Sequence, residues 1–214
     1  SQAALYSSVA QGILDYTGLT RGYCLDYGCG DGRLAYELAR RSELNIIGVA
    51  EDAATVARAR QALQAAGLYG SRVTIIQSSL SKLPHTKDAF NLVVSADMLT
   101  ATNCPGQASE MFRVLRPSGG VAWIGYPTGV VGSLSNWPAL DSWIKAGIST
   151  NNAAIQTDFG RSAKVTRNPL ASIGSWSHGY GDTGNTACSQ DQRIIGTGMR
   201  LQWFGLPGPR GMID

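Results

Sequence analysis

Residues Leu25 to Leu34 read "LDYGCGDGRL": three glycines at alternate positions, one aspartate just ahead of them and another inside the run. Glycine weakens ordinary secondary structure, so such a cluster marks a place where the backbone bends sharply or lets something approach it closely. The preceding "YCLDY" is a short apolar strand and the following "RLAYELARR" is helical by propensity and spacing, so the run is a strand-to-helix turn. Ligands of open parallel sheets lie at such turns, where bare peptide and the free amides of a helix N-terminus face them.

Outward from this turn the chain alternates. An amphipathic helix over 3–16 precedes it, with Leu5, Val9, Ile13 and Leu14 at helical spacing. After it come a strand at "NIIGV", a helix at "AATVARARQALQAAGL" ended by Gly67, and strands at "VTIIQ" and "FNLVVSA". A helix at "QASEMFRVL", a strand at "VAWIG" and a helix at "NWPALDSWIKAG" follow, then "NAAIQTDFG" and "RSAKVTRNP", a hairpin turning at Asp158, Phe159 and Gly160. Strands alternating with helices predict a mostly parallel sheet covered on both faces. From Pro169 the texture changes to glycine, serine and turn formers, which divides the chain into a domain over 1–168 and an irregular tail over 169–214 whose one strand is "RLQWF".

Composition narrows the partners. The net charge of +3 is spread over 18 basic and 15 acidic residues, with no basic block and no aromatic ladder, so nucleic acid is not expected as a partner. No stretch approaches the ~20 apolar residues of a membrane span, and no basic-then-apolar leader opens the sequence. Cys24, Cys29, Cys104 and Cys188 fall at no zinc-like spacing and read as reduced structural thiols. A dinucleotide fingerprint would place its third glycine one residue later than Gly32, and Asp26 would repel a pyrophosphate, which disfavours a nicotinamide oxidoreductase. The same acid would attract a ligand bearing an ammonium group and a sulfonium.

With "LDYGCGDG", "FNLVVSADML" and "RVLRPSGGVAWIG" in this order, residues 1 to 168 resemble the class I S-adenosylmethionine-dependent methyltransferases. The resemblance implies a Rossmann-like α/β fold whose seven-stranded sheet ends in an antiparallel strand inserted beside the fifth. It also implies S-adenosylmethionine, or S-adenosylhomocysteine, as the cofactor. Asp26 would hold the methionine amino group, and Gly28 and Gly30 would let the cofactor lie on the loop, with Tyr27 and Cys29 between and beside them. The family usually closes strand two with an acid that grips the ribose; here Ala50 stands there, so that role passes to Glu51, with Asp52 beside it. Ser79 and the Leu80 amide would face the adenine, and Ser95 lies at the close of strand four.

Asp97 and Tyr126 are the catalytic candidates on the acceptor side, the first to orient or deprotonate a substrate; for Asp97 a capping role and for Tyr126 cover of the sheet edge are the alternatives. His85 reads as an exposed loop histidine and His178 as a packing or hydrogen-bonding residue of the tail, while Trp137 and Trp143 face different sides of one helix, so at most one lines a pocket. "NCP" at Asn103 to Pro105 lacks the aromatic that amino-methylating nucleic-acid enzymes place after paired prolines, so the expected acceptor is a small molecule. An active enzyme of this kind would be cytoplasmic. The tail is similar to the segment that leads into quinoprotein-like (PQQ-like) β-propellers of multidomain planctomycete-type bacterial proteins, through Trp176, His178, Asn185 and Trp203; this implies a propeller beyond residue 214. The second function considered is a methyltransferase-like scaffold without turnover, which Ala50 and Ser79 favour.

Overall fold

A computed structural model describes residues 2–100, 104–126, 137–158, 162–175, 177–188 and 190–193. Helix α1 (Gln2–Thr17) leads into β1 (Arg21–Tyr27), α2 (Arg33–Arg41), β2 (Glu43–Ala50), α3 (Ala53–Ala65), β3 (Val73–Gln77) and β4 (Leu92–Val94). A single 3-10 turn over Asp97–Leu99, then α4 (Ala108–Val114), β5 (Val121–Gly125), α5 (Trp137–Gly147), β6 (Ala153–Asp158) and β7 (Ser162–Arg167) complete the series. The seven strands form one sheet in the order β3-β2-β1-β4-β5-β7-β6. β7 runs antiparallel to both β5 and β6, and the other pairings are parallel, so the last strand is inserted beside the fifth as expected.

The central strands are short apolar runs because side chains on both faces are covered. On one face α1, α2 and α3 bury Val9, Ile13, Leu38 and Leu63 against Leu92 and Val121. On the other, α4 and α5 bury Met111, Val114, Leu140 and Ile144 against Leu25, Val93 and Val165. The buried stripe of α1 includes Tyr6 rather than Leu5, which is only half-buried. β4 is shorter than "FNLVVSA" suggested, because the chain leaves the strand after Val94.

Strand order reverses between β1 and β4, neighbours in the sheet although far apart in sequence. The turn after β1 and the segment after β4 therefore open side by side at the carboxyl edge, the place where such sheets bind ligands. Two compact units divide the chain at Pro169. In the second, described from Leu170, Asp182 closes a turn by accepting from the amides of Gly184 (2.9 Å) and Thr186 (3.2 Å) and from the Thr186 hydroxyl (2.8 Å). The strand expected at "RLQWF", together with Trp176 and Trp203, lies outside the described residues, as do Asn103, Phe159 and Gly160.

Candidate cofactor site

The glycine turn folds back on the sheet: the amides of Gly28 (3.1 Å) and Cys29 (3.0 Å) both donate to the carbonyl of Val49 at the end of β2. Gly28 has φ 80°, a conformation that suits glycine. A methyl group there would lie 2.6 Å from Asp97 Oδ2, so only a bare backbone fits under that carboxylate. The same carboxylate would stand 3.5 Å from a methyl on Gly30. Asp97 reaches this position because its amide donates to the Gly28 carbonyl at 2.9 Å, tying the segment after β4 to the turn after β1.

Asp26, next to last in β1, is fully buried. Its Oδ1 accepts from the Ala96 amide at 2.9 Å, and Oδ2 is buried with no hydrogen bond among the described residues. Burial pushes its pKa well above the usual carboxylate range; the Ala96 amide opposes that rise, and the nearby charges of Asp97 and Asp31 add to it. Burial also raises Asp97, which keeps part of its surface accessible. Three carboxylates thus converge on one turn. Arg33 bonds Asp31 at 2.8 Å, and among the described residues the charges that act on Asp26 are those of Asp97 and Asp31.

The phenol of Tyr6, from α1, is within electrostatic range of Asp26, Asp31, Arg33 and Tyr126, and burial raises its pKa. Sequence reasoning did not single Tyr6 out. Its signal was a lone polar-tipped residue on an otherwise aliphatic helix stripe.

The remaining candidates separate into two groups. Glu51 gathers the turn after β3: Oε1 accepts from the Leu80 amide (2.9 Å) and the Ser79 hydroxyl (3.1 Å). The proposed ribose and adenine contacts thereby adjoin, but the Leu80 amide and Ser79 proton already point at Glu51 rather than outward. Asp52 faces elsewhere. Its carboxylate caps α3 by accepting from the Thr55 amide at 2.7 Å, and the Thr55 hydroxyl, followed by that amide, holds its pKa below the usual range.

Tyr27 belongs to the opposite core from Cys29. Its hydroxyl donates to the carbonyls of Leu80 and Gln107 (the latter 3.3 Å) and accepts from the Gln107 amide at 2.9 Å, so it braces the frame from behind. Cys29 is fully buried, and burial pushes its thiol far up, which makes it a packing residue. Ser95 is buried with its hydroxyl unpartnered among the described residues. Tyr126 is buried and its hydroxyl donates to the Leu99 carbonyl, closing the sheet edge over the 3-10 turn.

His85 is half-buried, edge-on to Phe90 at 5.1 Å, instead of exposed; aromatic packing holds it. His178 is exposed, with Nδ1 2.9 Å from the Ser177 hydroxyl. Trp143 donates to the Gly106 carbonyl at 3.2 Å and packs against the α4 side, and the Trp137 side chain lies outside the described set. All four cysteines are free, and no cluster of metal-ligating side chains occurs among the described residues.

A family model described as a methyltransferase domain matches residues 24–119. The matched stretch runs from β1 to the turn before β5 and holds the glycine turn. A sterol 24-C-methyltransferase of Yarrowia lipolytica is 32% identical over 96 residues, which make up 44% of this chain and 25% of that relative. The chain thus matches about a quarter of that relative's length. Among solved structures, a protein of Methanococcus maripaludis assigned as an S-adenosyl-L-methionine-dependent methyltransferase superposes with a TM-score of 0.58 at 22% identity, covering 78% of this chain and 86% of its own. A SAM-dependent methyltransferase of Aquifex aeolicus gives 0.57 at 17% identity, covering 78% and 93%. These structural likenesses are to the fold. No helix among the described residues is long and apolar enough to cross a membrane.

Proposed function

We propose that this chain transfers the methyl group of S-adenosylmethionine to a small-molecule acceptor. The observation that carries the proposal is the side-chain-free turn at Gly28 and Gly30, with the Asp97 carboxylate over it and Asp31 within the turn itself. A pyrophosphate would be repelled there, whereas a ligand with an ammonium group and a sulfonium is attracted. S-adenosylmethionine, when bound, would supply an electrophilic methyl for the acceptor's lone pair, with its sulfur as the leaving group. The protein's task is alignment and exclusion of water. Gly28 and Gly30 seat the cofactor, and Glu51 with the Ser79–Leu80 turn borders its nucleoside end. Tyr126 positions the 3-10 turn over which the acceptor approaches, and proton removal is needed only where the acceptor loses one.

The second reading, a methyltransferase-like scaffold without turnover, is favoured by one observation: Glu51, which must serve where Ala50 has replaced the family's acid, is already bonded to Ser79 and Leu80. Calorimetric titration with S-adenosylhomocysteine separates the two. Saturable binding by the wild type, weakened in Glu51→Ala, is expected; absence of heat at millimolar ligand would leave the scaffold. The tail over 169–214, by its sequence resemblance, leads into a following propeller domain.

A further inference from the structure

Two acids compete for one role at the glycine turn, and their surroundings differ. Asp26 has no exposed surface, one oxygen is fixed by the Ala96 amide at 2.9 Å, and the other is enclosed without a partner among the described residues. An ion there would be desolvated with one hydrogen bond to compensate it, so the neutral acid is the favoured form. Burial pushes Asp97 in the same direction, but it is less enclosed. Its carboxylate keeps accessible surface, lies directly over Gly28, and is held there by its own amide's bond to the Gly28 carbonyl at 2.9 Å. Asp26 binds the amide of the residue just before Asp97, so its geometry sets where Asp97 points.

Resting on the methyltransferase reading, we propose that Asp97, and not Asp26, supplies the negative charge that receives the cofactor's ammonium group, while Asp26 is a positioning residue that fixes the Ser95–Asp97 segment. This moves Asp97 from the acceptor side to the cofactor side of the site. It also moves the acid of the "LDYGCGDG" motif from contact to support.

The test is calorimetry on the full chain with two probes: S-adenosylhomocysteine, and 5′-deoxy-5′-methylthioadenosine, which keeps the nucleoside and thioether but lacks the amino-acid part. Asp97→Asn is expected to weaken S-adenosylhomocysteine by about tenfold or more while leaving methylthioadenosine unchanged. Asp26→Asn, which keeps an oxygen to accept from Ala96, is expected to stay within about threefold of wild type for both probes, whereas Asp26→Ala loses the segment's anchor and weakens the first probe selectively. Equal S-adenosylhomocysteine affinity in Asp97→Asn and wild type overturns the assignment with the methyltransferase reading intact. So does a parallel loss of both probes, which would mean a collapsed loop, or a loss in Asp26→Asn as large as in Asp97→Asn. Failure of the wild type to bind either probe would instead overturn the methyltransferase reading on which the assignment rests.

Discussion

At the scale of single residues, the site is held by groups whose cost of burial is visible. The Tyr27 hydroxyl joins two segments, through Leu80 on one side and both main-chain groups of Gln107 on the other. Tyr27→Phe takes that partner from the Leu80 carbonyl and the Gln107 amide, while the Gln107 carbonyl keeps the amides of Glu110 (3.2 Å) and Met111 (3.1 Å); it is expected to destabilise the fold by about 1–3 kcal/mol, read as a lower urea midpoint at unchanged m-value. Gly106 lies against the same hydroxyl, with φ 46°, and a methyl there would meet the Leu80 carbonyl at 2.5 Å. Gly106→Ala is therefore expected to be destabilising too, and because Leu80 presents main chain, adding Tyr27→Phe does not rescue it. Asp26 carries the pH dependence. Its native pKa lies above the unfolded value of ~3.9, so the native state binds the proton more tightly. Stability then falls as pH rises out of the ordinary carboxylate range, and stops falling above the raised native value. Asp26→Asn is expected to be more stable than wild type at neutral pH, with the gap narrowing as pH is lowered towards 4 in thermal melts; a gap that widens on acidification would contradict this.

Among the elements, β7 is the most demanding to place, because it enters antiparallel between β5 and β6. Arg167 at its end pins it: the guanidinium bonds Asp88 at 2.6 Å and the carbonyls of Phe112 and Leu115, and it lies 4.9 Å over the Phe112 ring. Arg167→Met keeps the stem but forfeits three acceptors, and is expected to cost about 1–3 kcal/mol. Asp88→Asn removes only the charge and is expected to cost less, a ranking that paired urea curves check. Element order was legible in the sequence for a physical reason: the apolar runs of β1, β2, β3 and β5 and the alanine-rich α3 each express their own periodicity locally. The Asp52 cap was legible as well, an acid immediately before the first helical residue, yet it had been given to the cofactor. What spacing could not reveal was long-range pairing. Glu51 meets Leu80, Asp26 meets Ala96 and Tyr27 meets Gln107 only because neighbouring strands bring their ends together. The 3-10 turn at Asp97–Leu99 is too short to carry a period of its own, so the early exit of β4 was hidden with it.

For the whole molecule, the seven strands and every residue proposed for the cofactor site fall within the first compact unit, Ser1–Pro169. The sheet is closed at one end by the β6–β7 hairpin, whose last paired residue is Arg167, and Asn168 still donates to the Asn152 carbonyl at 2.9 Å. Among the described residues, a cut after Pro169 therefore removes no strand and no pairing of the sheet. A chain ending there is expected to unfold in a single cooperative transition, with an m-value suited to a domain of that size, since m follows the surface exposed on unfolding. It is also expected to retain the affinity of the full chain for S-adenosylhomocysteine. Loss of cooperativity in the shortened chain would show that the second unit contributes to the core of the first. Intact folding with lost binding would place part of the cofactor site beyond Pro169, which the strand-end geometry around Gly28 gives no reason to expect.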